Sequence, residues 1–298
     1  MHFLFFSVSH YFFIKISSDQ PLIFGDSESL LLKGYIPSLE RLHSEPTRID
    51  LVIEHHESEE KKLIQEDGRV KIFDTWKGVF SADVYHVLYG IVRVQFLKRN
   101  LFPIHGACVG KDDGYVLMVG HSGAGKTSVI LKLLQDPDIK IFSGNKTVVS
   151  FGANAALVGV AGTPTITIRG SDKSKWDDEK IIEYVAYWER LAFTLSPARY
   201  PKADSVPIKA VVVVRLNDYT EECKKLSPSS ALHTLYSYFL DVVNADVVLS
   251  DAEDVFIGTP PPGTEKYLVS HLKTVLTKIP AYSLIGSSSF VANEILRL

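Results

Sequence analysis

The sequence predicts an α/β protein in which a mixed sheet forms the main domain and a small β-rich module precedes it. The first 80 residues contain short runs that alternate between apolar and polar positions, as half-buried strands do. From residue 81 onward, strand-like apolar runs are interspersed with segments whose apolar residues recur at helical spacing. A hairpin pattern also leads directly into a glycine-rich loop. We therefore expect a small β-rich module in residues 1–80 and a larger α/β domain in residues 81–298.

The length and composition are those of a folded globular protein. The chain has 298 residues, of which 46% are hydrophobic and 22% are charged, so extensive disorder is not expected. Its net charge is −3 with both signs interspersed, which predicts no binding to nucleic acid or to a membrane surface. Cys108 and Cys223 are far apart and lack metal-ligand spacing, so neither a disulfide framework nor a zinc site is expected. These features favour a cytoplasmic protein.

The N-terminal segment MHFLFFSVSHYFFIKIS is interpreted as a pair of strands. It lacks the basic n-region and the small-residue cleavage site of a signal peptide, and His10 and Lys15 interrupt it. RIDLVIEHH and RVKIFDTW predict further strands, with QEDG as a turn. Ser81 is the expected N-cap of a helix that continues through Phe96.

The rest of the chain alternates between strands and helices. The continuous valine run of IKAVVVVRL indicates a strand that is covered on both faces. The other predicted strands are IKIFSGNKTVVSF, AALVGVAGTPTITIRG and DVVLS, and the predicted helices are DDEKIIEYVAYWERLAF, SSALHTLYSYFLDVV and KYLVSHLKTVLTKI.

The glycine-rich loop carries the chemistry. Gly120, Gly125, Lys126 and Thr127 fit the pattern G-x-x-x-x-G-K-[ST], between the apolar strand YVLMVG and the helical segment TSVILKLLQ. This strand–loop–helix context is the one that a phosphate-binding loop requires. The predicted phosphate-binding positions are Gly120, Ser122, Gly123, Ala124, Gly125, Lys126, Thr127 and Ser128.

Such a loop binds the phosphates of a nucleotide for two reasons. Its glycines let successive backbone N–H groups turn toward one anion, and the helix that follows adds the positive end of its dipole. Lys126 then reaches the terminal phosphates, and the hydroxyl of Thr127 is offered to a Mg²⁺ ion that bridges the β and γ oxygens. The expected cofactors are ATP and Mg²⁺.

The strand that enters the loop has an unusual neighbour. HGACVG and GYVLMVG are two apolar runs joined by KDDG, in which Asp113 and Gly114 are a strong tight-turn signal. An antiparallel strand therefore lies immediately upstream. In doubly wound nucleotide-binding folds, the corresponding strand has mainly parallel neighbours.

IHGACV, the turn after it and GHSGAGKTS together resemble the HPr kinase/phosphorylase family, which shares its nucleotide-binding core with phosphoenolpyruvate carboxykinases. The motifs cover residues 102–151. The resemblance implies a mixed-sheet P-loop kinase core and ATP-dependent phosphorylation of a hydroxyl on a protein or peptide serine, or on a small molecule. It also implies that Gly120 to Thr127 hold the phosphates, that His105 lies near the reacting group, and that the protein forms a homo-oligomer.

One departure from the family concerns its pair of aspartates, which act as general base and assist the metal. The corresponding stretch here is IFSGNKTVV, which puts Gly144 and Asn145 at those positions. Neither residue can take a proton, although the amide oxygen of Asn145 could hold a metal-bound water. The alternative is that SGNK is a plain hairpin turn, so that the alignment is slipped and another acid serves.

Each of the remaining candidates has a functional and a structural interpretation. His105 is either a base or a histidine satisfied by the backbone. Arg169 either stabilises transferred charge or forms a surface ion pair. Asp251 and Asp254 either replace the missing carboxylate or complement a helix dipole. His121 is expected to face solvent.

Three functions remain open at this point. The first is a kinase with Lys126, His105, Asn145 and Arg169 as its catalytic residues. The second is a nucleotide-binding module with little or no turnover, because the acidic pair is replaced. The third is a P-loop ATPase, which should have a strand that ends directly in aspartate; AVVVVRLND comes close to this pattern.

Overall fold

The computed structural model describes residues 2–20, 32–66, 68–75, 82–169, 181–187, 190–244, 247–248, 255–256 and 260–298. These residues form an α/β fold of several sheets and few helices, as expected. The helices are α1 (Ala82–Leu97), α2 (Lys126–Leu133), α3 (Pro228–Asn244), α4 (Thr264–Val275) and α5 (Ser288–Arg297). None of the described helices is long and apolar enough to span a membrane.

The first sheet has six strands in the order β3-β1-β2-β4-β6-β5. They are β1 (His2–Val8), β2 (Phe12–Ser18), β3 (Leu39–Leu42), β4 (Leu51–Glu57), β5 (Lys62–Glu66) and β6 (Arg69–Asp74). β1 and β2 are antiparallel, which confirms the predicted N-terminal strand pair. Helix α1 contributes its apolar residues to the same hydrophobic cluster as this sheet.

The second sheet has nine strands and carries the glycine-rich loop. Its main path runs β10-β8-β9-β16-β12-β11-β7, and β20 extends it beside β16 with β17 outside β20. The strands are β7 (Phe102–Ile104), β8 (Gly106–Lys111), β9 (Gly114–Val119), β10 (Lys140–Ser143), β11 (Thr147–Phe151), β12 (Leu157–Gly162), β16 (Val206–Leu216), β17 (Glu222–Lys225) and β20 (Ala281–Gly286).

The predicted hairpin before the loop is confirmed, because β8 and β9 are antiparallel. On its other side, β9 runs parallel to β16, and β16 runs parallel to β20. Strand β16 is buried on both faces, as its valine run predicts. Val212 and Val214 pack with α2 and α5, whereas Val211 packs with α3 and α4. The carboxyl ends of β9, β16 and β20 therefore meet at one edge of the sheet.

The predicted helix in DDEKIIEYVAYWERLAF is wrong in its described part. The chain forms β14 (Ile181–Tyr187) and β15 (Arg190–Leu195), which pair with β13 (Ile166–Arg169) in a three-stranded sheet. Alternate residues Leu191, Phe193 and Leu195 are buried against the cluster around α2. The apolar residues of this segment are so dense that they fit both the two-residue period of a strand and the 3.6-residue period of a helix. The conformation that is adopted therefore depends on which residues the rest of the fold buries.

The hairpin interpretation of SGNK is also wrong. β10 pairs with β8, whereas β11 pairs with β12 and β7, so the two strands beside this turn are not partners. The turn is hydrogen-bonded instead to Thr163, which directly follows β12. The N–H of Gly144 donates to the carbonyl of Thr163 at 2.9 Å, and the N–H of Thr163 donates to the carbonyl of Lys146 at 3.0 Å.

The predicted strand DVVLS is described only as β18 (Val247–Val248), which pairs with β19 (Val255–Phe256). Asp251 and Asp254 lie outside the described residues.

Candidate functional site

The glycine-rich loop joins the end of β9 to the start of α2. It is anchored to the next strand, because the N–H of Leu216 at the end of β16 donates to the carbonyl of Ala124 at 3.0 Å. Gly125 has a φ of 96°, and a Cβ on it would lie 2.2 Å from Cγ of Leu216. Only glycine fits there, since both the dihedral angle and the close approach exclude a side chain. Gly123 and Ser122 are exposed, so the outer part of the loop faces solvent.

Lys126 is the first residue of α2, and its side chain returns over the loop. Its Nζ donates to the carbonyls of Gly120 at 2.6 Å and His121 at 3.3 Å. Burial lowers the pKa of Lys126 to about 8. Within the described part of the chain, no carboxylate forms an ion pair with this ammonium. The cation is therefore held by neutral oxygens at the N-terminus of a helix, where an anion is favoured.

The hydroxyls of the first helical turn remain accessible. Thr127 is partly exposed and Ser128 is exposed, and this turn contains no acidic residue. In the part of the chain that the structure describes, no group of three or more His, Cys, Asp and Glu residues could hold a metal ion. The fit to Mg²⁺ therefore depends on the hydroxyl of Thr127 together with the phosphates of a nucleotide.

His105 connects β7 to β8 and lies beside the loop. β7 pairs with β11 so that Ile104 is opposite Thr147, and the next residues along, His105 and Lys146, are therefore neighbours. The β8–β9 ladder ends with Gly106 opposite Val119, so His105 and Gly120 are the next residues along these two strands.

The imidazole of His105 lies in a recess that is still open to solvent. Its side chain is exposed, although protein surrounds much of it. This enclosure, followed by the charges of Lys126 and Lys146, lowers the pKa of His105 to about 4. The ring is therefore neutral at neutral pH, so it can exchange hydrogen bonds but is a weak proton acceptor.

Gly144 cannot be replaced by an acidic residue in this fold. A Cβ at this position would lie 2.2 Å from the carbonyl oxygen of Thr165. The predicted absence of a carboxylate at Gly144 thus has a steric cause. Asn145 is the next residue in the turn, is only partly exposed, and directly precedes Lys146.

Lys146 belongs to the site although its own sequence pattern did not indicate this. Only 8% of the residue is exposed, and its Nζ lies 4.5 Å from the ring centroid of Tyr35 and 4.2 Å from that of Tyr89. Burial lowers the pKa of Lys146 to about 7. Its position directly after Gly144 and Asn145, which the sequence analysis had singled out, was the one available signal.

Arg215 is a second residue that the sequence analysis missed. It lies at the end of β16 with an exposed side chain, one residue after the Val214 carbonyl that closely approaches Gly120. A search for polar residues at the end of the buried strand beside the loop would have found Arg215.

The other predicted residues are less closely associated with the loop chemistry. His121 is exposed, as expected, and its ring centroid lies 5.1 Å from that of Tyr238 in α3. Arg169 ends β13 opposite Arg190, and the position of its side chain lies outside the described structure.

Models of known protein families give no match to this chain, and curated protein sequences give none either.

Proposed function

We propose that the protein is an ATP-dependent kinase that transfers the γ-phosphoryl group to a hydroxyl of a peptide, protein or small-molecule acceptor. The observation that carries this proposal is the position of Lys126. Its ammonium folds back onto the carbonyls of Gly120 and His121, at the start of a helix and without a described carboxylate partner. A triphosphate can replace these neutral oxygens with charged ones, which bind an ammonium more strongly.

The loop would bind the phosphates through its backbone N–H groups and the helix dipole. Mg²⁺, held by Thr127 and the phosphates, would neutralise the charge that develops on the transferred group. Positioning and charge neutralisation account for most of the catalysis of phosphoryl transfer, so an accurately built loop suits this chemistry.

The acceptor hydroxyl would approach from the side of His105 and Asn145. Neutral His105 can accept a hydrogen bond from the hydroxyl and orient it, and the amide oxygen of Asn145 can hold a water. Neither group is a strong base. General-base catalysis typically contributes about 10²- to 10⁴-fold, so we expect a slow kinase.

A nucleotide-binding module without turnover is the second candidate. The close approach of Thr165 to Gly144 favours it, because no carboxylate can stand at that position. This candidate shares the loop and the nucleotide with the first one, and it differs in the fate of the γ-phosphate.

The test is incubation of the full chain with γ-labelled ATP, Mg²⁺ and either cell lysate or candidate peptides. A kinase transfers label to a serine or another hydroxyl, and Lys126→Ala lowers the transfer by at least about 100-fold. Lys132→Ala is the matched control, because Lys132 is an exposed lysine in the last turn of the same helix.

The other outcomes separate the alternatives. ATP binding without transfer, together with activity gained by Asn145→Asp, would favour the nucleotide-binding module. Release of phosphate without an acceptor would favour an ATPase. Absence of nucleotide binding by calorimetry would overturn all three functions.

A further inference from the structure

His105 and Lys146 lie on neighbouring segments of the chain, beside the glycine-rich loop. The hydroxyl of Thr147 donates to the carbonyl of Gly106 at 2.8 Å, which ties the segment after Lys146 to the segment after His105. On the other side, His105 and Gly120 directly follow the last pair of the β8–β9 ladder, Gly106 and Val119. The three segments therefore form a row at one edge of the sheet, with His105 in the middle.

Lys146 is a buried lysine with aromatic neighbours. The rings of Tyr35 and Tyr89 lie within 4.5 Å of its Nζ, and the residue is more than nine-tenths buried. Several other lysines of the described structure pair with carboxylates, as Lys140 does with Asp112 at 2.7 Å, but no such pair is found for Lys146 among the described residues. A buried charge is costly unless it is paired, so an anionic partner would stabilise this ammonium.

Aromatic faces alone could explain a buried lysine, because cation–π contacts are favourable. The adjacent histidine argues for more than this. His105 is exposed in the same row, and the positive charges of both Lys126 and Lys146 act on it. Three nitrogen-bearing side chains are thus close enough to interact electrostatically, and the side chain of His105 is accessible to solvent.

We propose that His105 and Lys146 form a second oxyanion subsite next to the glycine-rich loop, which binds a phosphate group. Tyr35 and Tyr89 hold the ammonium of Lys146 at this subsite. The phosphate has two sources, the γ-phosphate of the nucleotide or a phosphate group on the acceptor. This inference rests on the proposed function for the nucleotide, but the subsite can be tested without it.

The test is calorimetry on the full chain with Mg-ATP, Mg-ADP and inorganic phosphate. We compare the wild type with Lys146→Met and with Lys140→Met, which removes a lysine that pairs with Asp112 in the β8–β9 turn. Hydrogen bonds to charged groups contribute enough that Lys146→Met should weaken phosphate binding by about 10- to 100-fold. Lys140→Met should change it less than about 3-fold, as expected for a surface ion pair.

The ligands that bind less tightly to Lys146→Met identify the source of the phosphate. If ATP binding weakens while ADP binding does not, the subsite takes the γ-phosphate. If both nucleotides bind as before and inorganic phosphate binds less tightly to the ADP complex, the subsite takes a phosphate of the acceptor. If no ligand distinguishes Lys146→Met from Lys140→Met, the proposal is overturned.

Two further measurements keep the outcomes separate. If the wild type binds no nucleotide, the proposed kinase fails, and the binding of inorganic phosphate alone then tests the subsite.

If circular dichroism shows that Lys146→Met does not fold, His105→Ala and Lys146→Arg replace it. Removal of the exposed His105 should weaken phosphate binding by about 3- to 10-fold, whereas Lys146→Arg should retain most of it. Unchanged binding in His105→Ala would then count against the subsite.

Discussion

Gly144 is the residue of the turn beside the loop at which the structure leaves least room for a side chain. Its backbone lies so close to the carbonyl of Thr165 that any side chain would collide with it. The absence of a carboxylate at Gly144 is therefore built into the packing of the segment after β12 against the turn, and a substitution at Gly144 itself cannot introduce one without a backbone shift.

We expect Gly144→Ala to lower the free energy of unfolding by about 1–3 kcal/mol, because an inserted methyl group forces the backbone to shift. Urea denaturation measures this change. Gly152→Ala is the control, since its Cβ would have an ordinary contact at 3.5 Å. A Gly144→Asp variant that is as stable as the wild type would contradict the close approach.

The sequence predicted the loop residues but not Lys146, and the reason is physical. Gly120, Gly125, Lys126 and Thr127 are close in sequence, and local geometry determines what they do. Lys146 enters the site only because β11 pairs with β7. Pairing between distant strands depends on the whole fold, and the local sequence shows only that Lys146 follows Gly144 and Asn145.

At the scale of elements, α2 is held at both of its ends. Its N-terminus directly follows the glycine-rich loop, which is anchored to β16. Beyond its C-terminus, the guanidinium of Arg199 donates to the carbonyls of Leu134, Asp136, Pro137 and Ile139 at 2.9–3.4 Å. One side chain thus satisfies several carbonyls that the helix end and the following turn would leave unpaired.

We expect Arg199→Ala to destabilise the protein by about 1–3 kcal/mol, because carbonyls that are mostly part-buried lose a charged donor. Arg199→Lys should recover only part of this loss, since a lysine lacks the planar fork that reaches several acceptors. Thermal unfolding monitored by circular dichroism gives the comparison. Arg48→Ala, at an exposed ion pair with Asp50, provides a reference that should change stability by less than about 0.5 kcal/mol. An Arg199→Ala variant that matches this reference would show that the carbonyls find other partners.

The elements predicted best are those whose periodicity has one interpretation. The β8–β9 hairpin follows from Asp113 and Gly114, and β16 follows from its valine run. The β14–β15 hairpin was predicted as a helix because its dense apolar residues fit both periods. Its conformation is selected by pairing with β13 and by burial of Phe193, which are tertiary effects.

At the scale of the whole molecule, the N-terminal sheet and the nine-stranded sheet share hydrophobic contacts. Val148 of β11 and Val160 and Ala161 of β12 belong to the same cluster as the N-terminal strands and α1. The N–H of Ser38 also donates to the carbonyl of Gly162 at 2.9 Å. Because Tyr35 precedes this contact by three residues, the N-terminal part of the chain contributes a wall to the subsite at Lys146.

This shared core predicts that both parts unfold together, although the sequence suggested separate units divided near residue 80. Phe12→Ala removes a fully buried ring that packs edge-on against Phe96 of α1, so we expect a loss of about 3–5 kcal/mol. The variant should still show one urea transition, and the amides of β11 should lose hydrogen-exchange protection by the same free energy as those of β2. Phe3→Ala, on the same sheet but 48% exposed, should change both far less. Two transitions, with β11 protected as in the wild type, would show that the N-terminal sheet is an independent domain.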